Sequence, residues 1–273
     1  MQALILPLVP DAPLPRRASA ATRAAVPPGY GVQEQCLPFT AAAALGLLIP
    51  APFDFGLCLP AEVPAGTRAF RPPPPADIAG DPRVFYVRDR PQSRFSGNAF
   101  EFDPLPFADE QGQQHDLRRV HPGLSFFERE DQRHLFKLHL PWLVRTPPQV
   151  DSLFGPPINR AVPVAMHTGL VETDWYAHPV NLALLRPAEG GALHLRAGEI
   201  VAQVSFVNRS ERRVDLEILD QHSAAARGLQ NQLLQWYLAH GRDRSAYRRM
   251  ERSERSLGDK VHDSGALPPL PAE

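Results

Sequence analysis

Cysteine is nearly absent from this 273-residue chain: Cys36 and Cys58 are the only two. They lie far apart and outside any CxxC spacing, which gives no support to a disulfide framework or a zinc knuckle and reads as two reduced, partly buried thiols. An excess of one charge is missing too. With 29 basic and 30 acidic residues the net charge is -1, so no global field attracts a polyanion, and nucleic acid is not an expected partner. Long apolar runs are also lacking. The opening MQALILPLVP has no basic residue ahead of its apolar stretch and is interrupted by Pro7 and Pro10. It fails as a signal peptide or membrane span, and a cytoplasmic protein with no membrane partner is expected.

What is abundant is proline. The 31 prolines are roughly twice the usual share of about 5%, and each removes a backbone donor and fixes φ, which favours short strands and ordered loops over long helices. The length suffices for one main domain with tails. Residues 1–28, rich in Ala, Pro and Arg, read as a mobile leader. Residues 29–219 read as the β domain, 220–256 as a C-terminal helix and 257–273 as a tail.

Within the β domain, CLPFTAAAALGLLIPAPFDFGLCL (36–59) is dense in apolar residues and punctuated by Pro and Gly, which suits strands or a short helix bounded by turns. Arg71 to Pro75 (RPPPP) reads as an extended polyproline connector that could engage an SH3-like partner. Val84–Asp89 and His134–Leu140 carry strand-type residues; in the second, Phe136, Leu138 and Leu140 share one face, and Leu135, Lys137 and His139 the other. Val180–Leu185, Glu199–Phe206 and Arg213–Leu219 are short apolar runs separated by turn residues, which predicts antiparallel pairing. Beyond Asp220 the period changes. Ala225, Leu229, Leu233, Trp236, Tyr237 and His240 recur at three- and four-residue spacing, the pattern of an amphipathic helix. Its arginine-rich continuation to residue 256 reads as a solvated face of paired charges.

Two stretches carry a resemblance. In Gly169–Leu185, Gly169, Leu170, Val171, Glu172, Thr173, Asp174 and Trp175 form a glycine, two apolar residues, an acid, a small residue, a second acid and an aromatic. In Leu193–Val207, Gly198 and Glu199 precede an apolar-Ala202-Gln203-apolar run. These stretches, with an EGG turn between them, resemble the C-terminal hairpins of the dUTPase and dCTP deaminase superfamily. A mainly β, antiparallel, dUTPase-like (β-clip) fold with a C-terminal amphipathic helix is implied. The chain also resembles an uncharacterised bacterial protein family through CLPF (36–39), PFDF (52–55), LPWLVRTPP (140–148) and GLVETDW (169–175). That likeness spans roughly Cys36 to Val207 and brings no activity with it.

The dUTPase resemblance implies roles for particular residues. Glu172 would be the base that deprotonates water, with Asp174 as the second acid and Trp175 as a platform for stacking a ligand. The resemblance also implies a homo-oligomer, a trimer with sites at subunit boundaries. No PRSG-like phosphate loop or glycine-rich closing arm is present, and VNLALL lacks the deaminase glutamate, so dUTP hydrolysis and deamination are disfavoured. From the residues themselves, Arg145 ends a strand before Pro147-Pro148. This stiff backbone aims the guanidinium reproducibly, beside Trp142, as a candidate anion-recognition cluster or a structural ion pair with Glu172, Asp174 or Asp54. The leading expectation is therefore a small-molecule site for an anionic ligand, binding or catalytic, built from Glu172, Asp174, Trp175, Trp142 and Arg145.

Two alternatives stay open. If residues 169–178 were one regular strand, Glu172, Asp174 and His178 would share a face, and with His167 they offer ligand types for a divalent metal, Fe or Mg, in an oxygenase or hydrolase. A bulge or turn near 177–179 would be needed, because Val180, Leu182 and Leu184 continue the same parity as core. The second alternative is a non-enzymatic scaffold or interaction protein. Acids before an aromatic at a hairpin end also serve as caps for turn amides. His115, His121, His134, His139 and His194 have no ligand spacing of their own and read as surface or satisfied core histidines.

Overall fold

The computed structural model describes residues 2–9, 11–19, 37–88, 94–101, 107–108, 110–115, 123–212 and 217–240. Cys36, His121, residues 20–28 of the leader, residues 213–216, the continuation of the C-terminal helix after His240 and the 257–273 tail lie outside them.

Short runs of β-branched and aromatic residues between turns give short strands, and every pairing between strands of the described residues is antiparallel. In chain order they are β1 (Leu4–Pro7), β2 (Arg16–Arg17), β3 (Leu47–Pro50), β4 (Phe55–Cys58), β5 (Thr67–Phe70), β6 (Val84–Arg88), β7 (Arg94–Ser96), β8 (Ala99–Glu101), β9 (Phe107–Ala108), β10 (Gln114–His115) and β11 (Gly123–Phe126). They continue with β12 (Leu135–His139), β13 (Trp142–Arg145), β14 (Val150–Gly155), β15 (Gly169–Val171), β16 (Asn181–Leu185), β17 (Leu193–Leu195) and β18 (Ile200–Asn208). Helix α1 spans Leu37–Ala43.

The strands form a sheet of order β16-β12-β11-β8-β7, a second of order β15-β14-β18-β3-β2, a third of order β17-β4-β6-β5, and the ribbons β1-β13 and β9-β10. The first three share one core. Phe55, Phe85 and Leu193 from the third sheet, Phe100, Phe136 and Leu182 from the first, and Ile49, Phe154 and Val204 from the second are all buried in it. Burial follows the strand period in β12, where Phe136 and Leu138 are buried and Lys137 and His139 half-buried, although Leu135 is buried as well. One glycine is fixed by close approach. Gly46 adopts φ +65°, and a Cβ there would meet the Val204 carbonyl oxygen at 1.8 Å, so any side chain would push β3 away from β18.

Several expectations are corrected. Residues 4–7 and 16–17 are paired strands, and Leu8, Val9 and Ala18 are buried, so this part of the leader belongs to the domain. The runs expected to pair with one another do not: β16 pairs with β12, β17 with β4, and β18 with β14 and β3. The two motif stretches therefore do not form local hairpins, and nonlocal apolar partners win over short loop closure. Of the Arg213–Leu219 run, the described residues 217–219 are not in a strand. RPPPP is a turn rather than an extended connector: Ala76 N–H donates to the Pro73 carbonyl, and Pro72 and Ala76 are buried.

The chain divides into two units, residues 1–213 and 214–273. The second contains helix α2 (Ala224–His240), which starts on a Ser223 cap whose Oγ accepts from Ala226 N–H at 3.1 Å. Among the described residues no helix is long and apolar enough to cross a membrane.

His139 supplies a pH-dependent element of this fold. Its Nε2 bonds Ser125 Oγ at 2.6 Å across the β11–β12 pair. Burial first, then the charges of Lys137 and His178, push its pKa from 6.5 down to about 4. The unfolded chain therefore takes up a proton that the folded chain refuses. Stability from this group is intact above pH 6.5 and falls as the pH drops from 6.5 towards 4. Urea melts at pH 7 and pH 5 are expected to differ by about 2 kcal/mol from this group, and His139→Gln should remove that difference. An unchanged pH dependence in the variant would contradict the assignment.

Candidate functional site

The two sequence motifs LPWLVRTPP and GLVETDW meet in space, and hydroxyls join them. β13 ends at Arg145, and Thr146 is buried with its Oγ1 donating to the Val150 carbonyl at 2.6 Å. Thr146 Oγ1 and Ser152 Oγ both bond Thr173 Oγ1, at 2.8 and 2.6 Å. The chain turns at Pro147-Pro148, where Val150 N–H donates to the Pro147 carbonyl at 3.2 Å. The Gln149 amide, held at φ +66°, then donates to Asp174 Oδ2 at 3.0 Å.

β15 stops at Val171, and a turn follows at once: Trp175 and Tyr176 N–H both donate to the Glu172 carbonyl. Residues 169–178 are thus not a regular strand, and the shared face expected for Glu172, Asp174 and His178 is not formed. The side chains of the two acids are engaged at every oxygen. Glu172 accepts from Arg212 Nη1 at 3.0 Å and from Trp175 Nε1 at 2.5 Å. Asp174 accepts from Arg209 Nη2 at 2.7 Å on its other oxygen.

Arg209 and Arg212 belong to the one-turn 3-10 helix Arg209–Arg212 that ends β18. Both also grip Asp151, which is fully buried on β14. Arg209 Nη2 lies 2.8 Å from Asp151 Oδ1, and Arg212 Nη2 lies 2.5 Å from Oδ2. The hydrogen bonds from Trp175 and Arg212 hold the Glu172 pKa below its ordinary value, and that from Arg209 does the same for Asp174. Carboxylates held in this way by cations and donors are stabilised as anions, the opposite of what a general base near neutrality requires. The arrangement ties β14, the 172–176 turn and the end of β18 together.

The other expected site residues are dispersed. Trp142 is 1% exposed and belongs to the core, so it cannot contact a ligand. Trp175 is 61% exposed, its ring edge-on to Tyr176. Arg145 is exposed and makes no ion pair with the described residues. Asp54 pairs instead with Arg88 at 2.6 Å and accepts from Ala197 N–H at 2.9 Å. His167 is exposed, and His178 Nδ1 donates to its neighbouring Pro179 carbonyl. These two imidazoles do not converge with Glu172 or Asp174. Among the described residues, the group of three ligand-type side chains that does converge is Cys58, Glu62 and His194. The Fe- or Mg-binding triad expected at His167 and His178 is corrected accordingly.

A cation-lined cavity of about 640 Å³ lies elsewhere in the same unit, bounded by Arg16, Arg17, Arg160, His194, Glu199 and an apolar wall that includes Leu48 and Ile200. Its basic residues come from distant parts of the chain. Arg16 and Arg17 form β2, paired to Leu48 and Leu47. Arg160 sits on the β14–β15 connection, which is pinned on both sides. Ile158 N–H donates to Gln203 Oε1 at 2.9 Å, and Asn159 Nδ2 donates to the Phe39 carbonyl of α1 at 2.9 Å. Gln203, 2% exposed, also donates to the Leu45 carbonyl, so the Ala-Gln motif is a clamp that positions the loop bearing Arg160.

Arg160 Nη2 donates to the Ser19 carbonyl, while among the described residues its buried Nε has no hydrogen-bond partner. Burial first, and then the charge of Arg16, hold its pKa below the ordinary arginine value. An unpaired buried cationic donor next to a second guanidinium is costly unless an anion joins them. The sequence gives little signal for this cavity, since the Arg16-Arg17 dipeptide stands in a Pro/Ala-rich leader and Arg160 in a loop.

Comparison of the chain with protein-family models, with curated proteins and with solved structures gives no match.

Proposed function

We propose that this protein binds a small anionic molecule in the cavity lined by Arg16, Arg17 and Arg160. The observation that carries the reading is the convergence of three arginines, Arg16, Arg17 and Arg160, on one cavity whose lining includes a single carboxylate, Glu199. A volume of about 640 Å³ falls in the range of small-molecule sites, roughly 300–1,000 Å³, and a mixed apolar and cationic wall suits a ligand with an organic body and a carboxylate or phosphate group. Glu199 is the acidic side chain on this wall, and its Oε2 already accepts from Arg196 N–H at 3.0 Å. The ligand class is the one expected from sequence. The location moves from Glu172 and Trp175, whose polar atoms are consumed within the protein, to the arginines.

Calorimetric titration with inorganic pyrophosphate and with citrate tests the proposal. Binding of at least one is expected, and Arg160→Gln should weaken it by about tenfold or more, the scale of one charge-assisted hydrogen bond. Glu172→Gln should bind as the wild type does. Absence of binding for both anions, or equal binding by wild type and Arg160→Gln, would sink the assignment.

The dUTPase-like character of the β fold and a homotrimeric assembly are part of the same reading. They are supported by the order of residues in Gly169–Leu185 and Leu193–Val207. Sedimentation of the full chain should give a trimer, and a monomer would count against that assembly.

A further inference from the structure

The outer face of the β17-β4-β6-β5 sheet carries a second cluster. Across three strands the register places His194 beside Gly56 and Gly56 beside Tyr86, with Cys58 two residues along β4 on the same face. His194 and Cys58 are therefore diagonal neighbours, a spacing that long side chains can bridge.

Gly56 makes the row work. A Cβ there would lie 2.7 Å from the Tyr86 hydroxyl, so only glycine lets the Tyr86 ring cross β4. Its Oη then meets His194 Nδ1 at 2.9 Å. Beyond Cys58 the chain enters a one-turn 3-10 helix, Pro60–Glu62, which brings Glu62 back over the thiol. Glu62 Oε2 accepts from Leu59 N–H at 3.1 Å, which orients the carboxylate. The ligand atoms of Cys58, Glu62 and His194 all lie within 4.8 Å of one another. A cavity of about 230 Å³ lined by Cys58, Glu62 and Arg83 reaches the cluster.

We propose that Cys58, Glu62 and His194 bind a transition-metal dication of the zinc class. A thiolate, an imidazole and one carboxylate favour zinc, cobalt or iron over magnesium or calcium, which prefer all-oxygen sets. Three protein ligands leave a fourth position for water or a small ligand, the pattern of a non-structural site. Tyr86 supplies the outer contact that metal-bound histidines use: with Nδ1 protonated and donating to Tyr86 Oη, Nε2 is the free lone pair. On binding, the Sγ–H bond of Cys58 breaks, its proton leaves to the buffer and the sulfur lone pair forms the metal bond.

The full chain, stripped with chelator and titrated with Co²⁺ and then Zn²⁺, tests the site. One equivalent of Co²⁺ should give a thiolate-to-cobalt charge-transfer band in the near ultraviolet, which Zn²⁺ bleaches. Cys58→Ser should lose the band and Cys36→Ser should keep it. His194→Gln, at an exposed position that folding tolerates, should weaken binding at least tenfold, and Tyr86→Phe by about 10- to 100-fold, the usual range for an outer-shell partner. Arg160→Gln should bind metal as the wild type does, because Arg160 supplies no ligand atom to the cluster, although His194 borders both sites. No band in the wild type, a band lost in Cys36→Ser but kept in Cys58→Ser, or wild-type affinity in His194→Gln would each overturn the proposal.

Discussion

Asp151→Asn is expected to destabilise the protein by about 3 kcal/mol or more, a drop in melting temperature of about 10 °C for a domain of this size. Asp151 is fully buried and lies within 2.8 Å of both Arg209 and Arg212. An asparagine keeps the shape but not the charge, and it turns one oxygen into an N–H donor facing a guanidinium. Arg209 and Arg212 keep Asp174 and Glu172 as partners, but the buried end of the network loses its anion, and removing one partner of a buried pair costs far more than the pair contributes net. Glu172→Gln is the contrasting case. Glu172 sits at the rim, 34% exposed, so water screens its loss and the melting temperature should barely move. Thermal melts of the two variants check this ordering. Equal, small shifts would mean that the network is solvated throughout.

Phe85→Ala should cost about 4 kcal/mol, within the range for deleting a buried aromatic side chain, and should lower the urea midpoint accordingly. The Phe85 ring is 1% exposed and joins two sheets. Its centroid lies 6.0 Å from Phe70 in its own sheet, and 4.9 and 5.3 Å from Phe126 and Phe136 in the facing one. The Arg186 guanidinium lies 5.0 Å above it. Truncation leaves a cavity that three rings cannot fill together and removes the nearer of the two rings that face the half-buried Arg186, leaving Phe126 at 5.9 Å. Burial already pushes the Arg186 pKa down to about 10, so exposing it to water returns part of that cost. Loss at the lower end of the range would report such relief, and no loss would contradict the shared core.

Local pattern carried much of the strand assignment and little of the connectivity. Alternation in His134–Leu140 and the apolar runs at 180–185 and 199–206 identify β12, β16 and β18 because period-two burial is written in neighbouring residues. Which strands pair is not local. β3, β4 and β17 find partners more than a hundred residues away in sequence, and the EGG turn joins strands of different sheets. The N-terminal strands were hidden for a related reason: Arg16 and Arg17 have no strand pattern of their own and are ordered by the free edge of β3.

The candidate sites divide in the same way. Motif residues did converge, since Thr146, Thr173, Asp174 and Gln149 lock LPWLVRTPP against GLVETDW, but as a structural joint. Its missing members, Asp151, Arg209 and Arg212, lay outside both motifs, Arg209 among the turn residues that separate two apolar runs. The arginine cavity and the Cys58 cluster each draw on segments far apart in the chain, so spacing within a motif could not reveal them.

The most direct test of anion binding is a crystal of the full chain soaked with tungstate, whose anomalous signal locates the anion without assuming a ligand. The prediction is a peak among Arg16, Arg17 and Arg160. A peak beside Arg145 and Trp175 with none in the arginine cavity would contradict it.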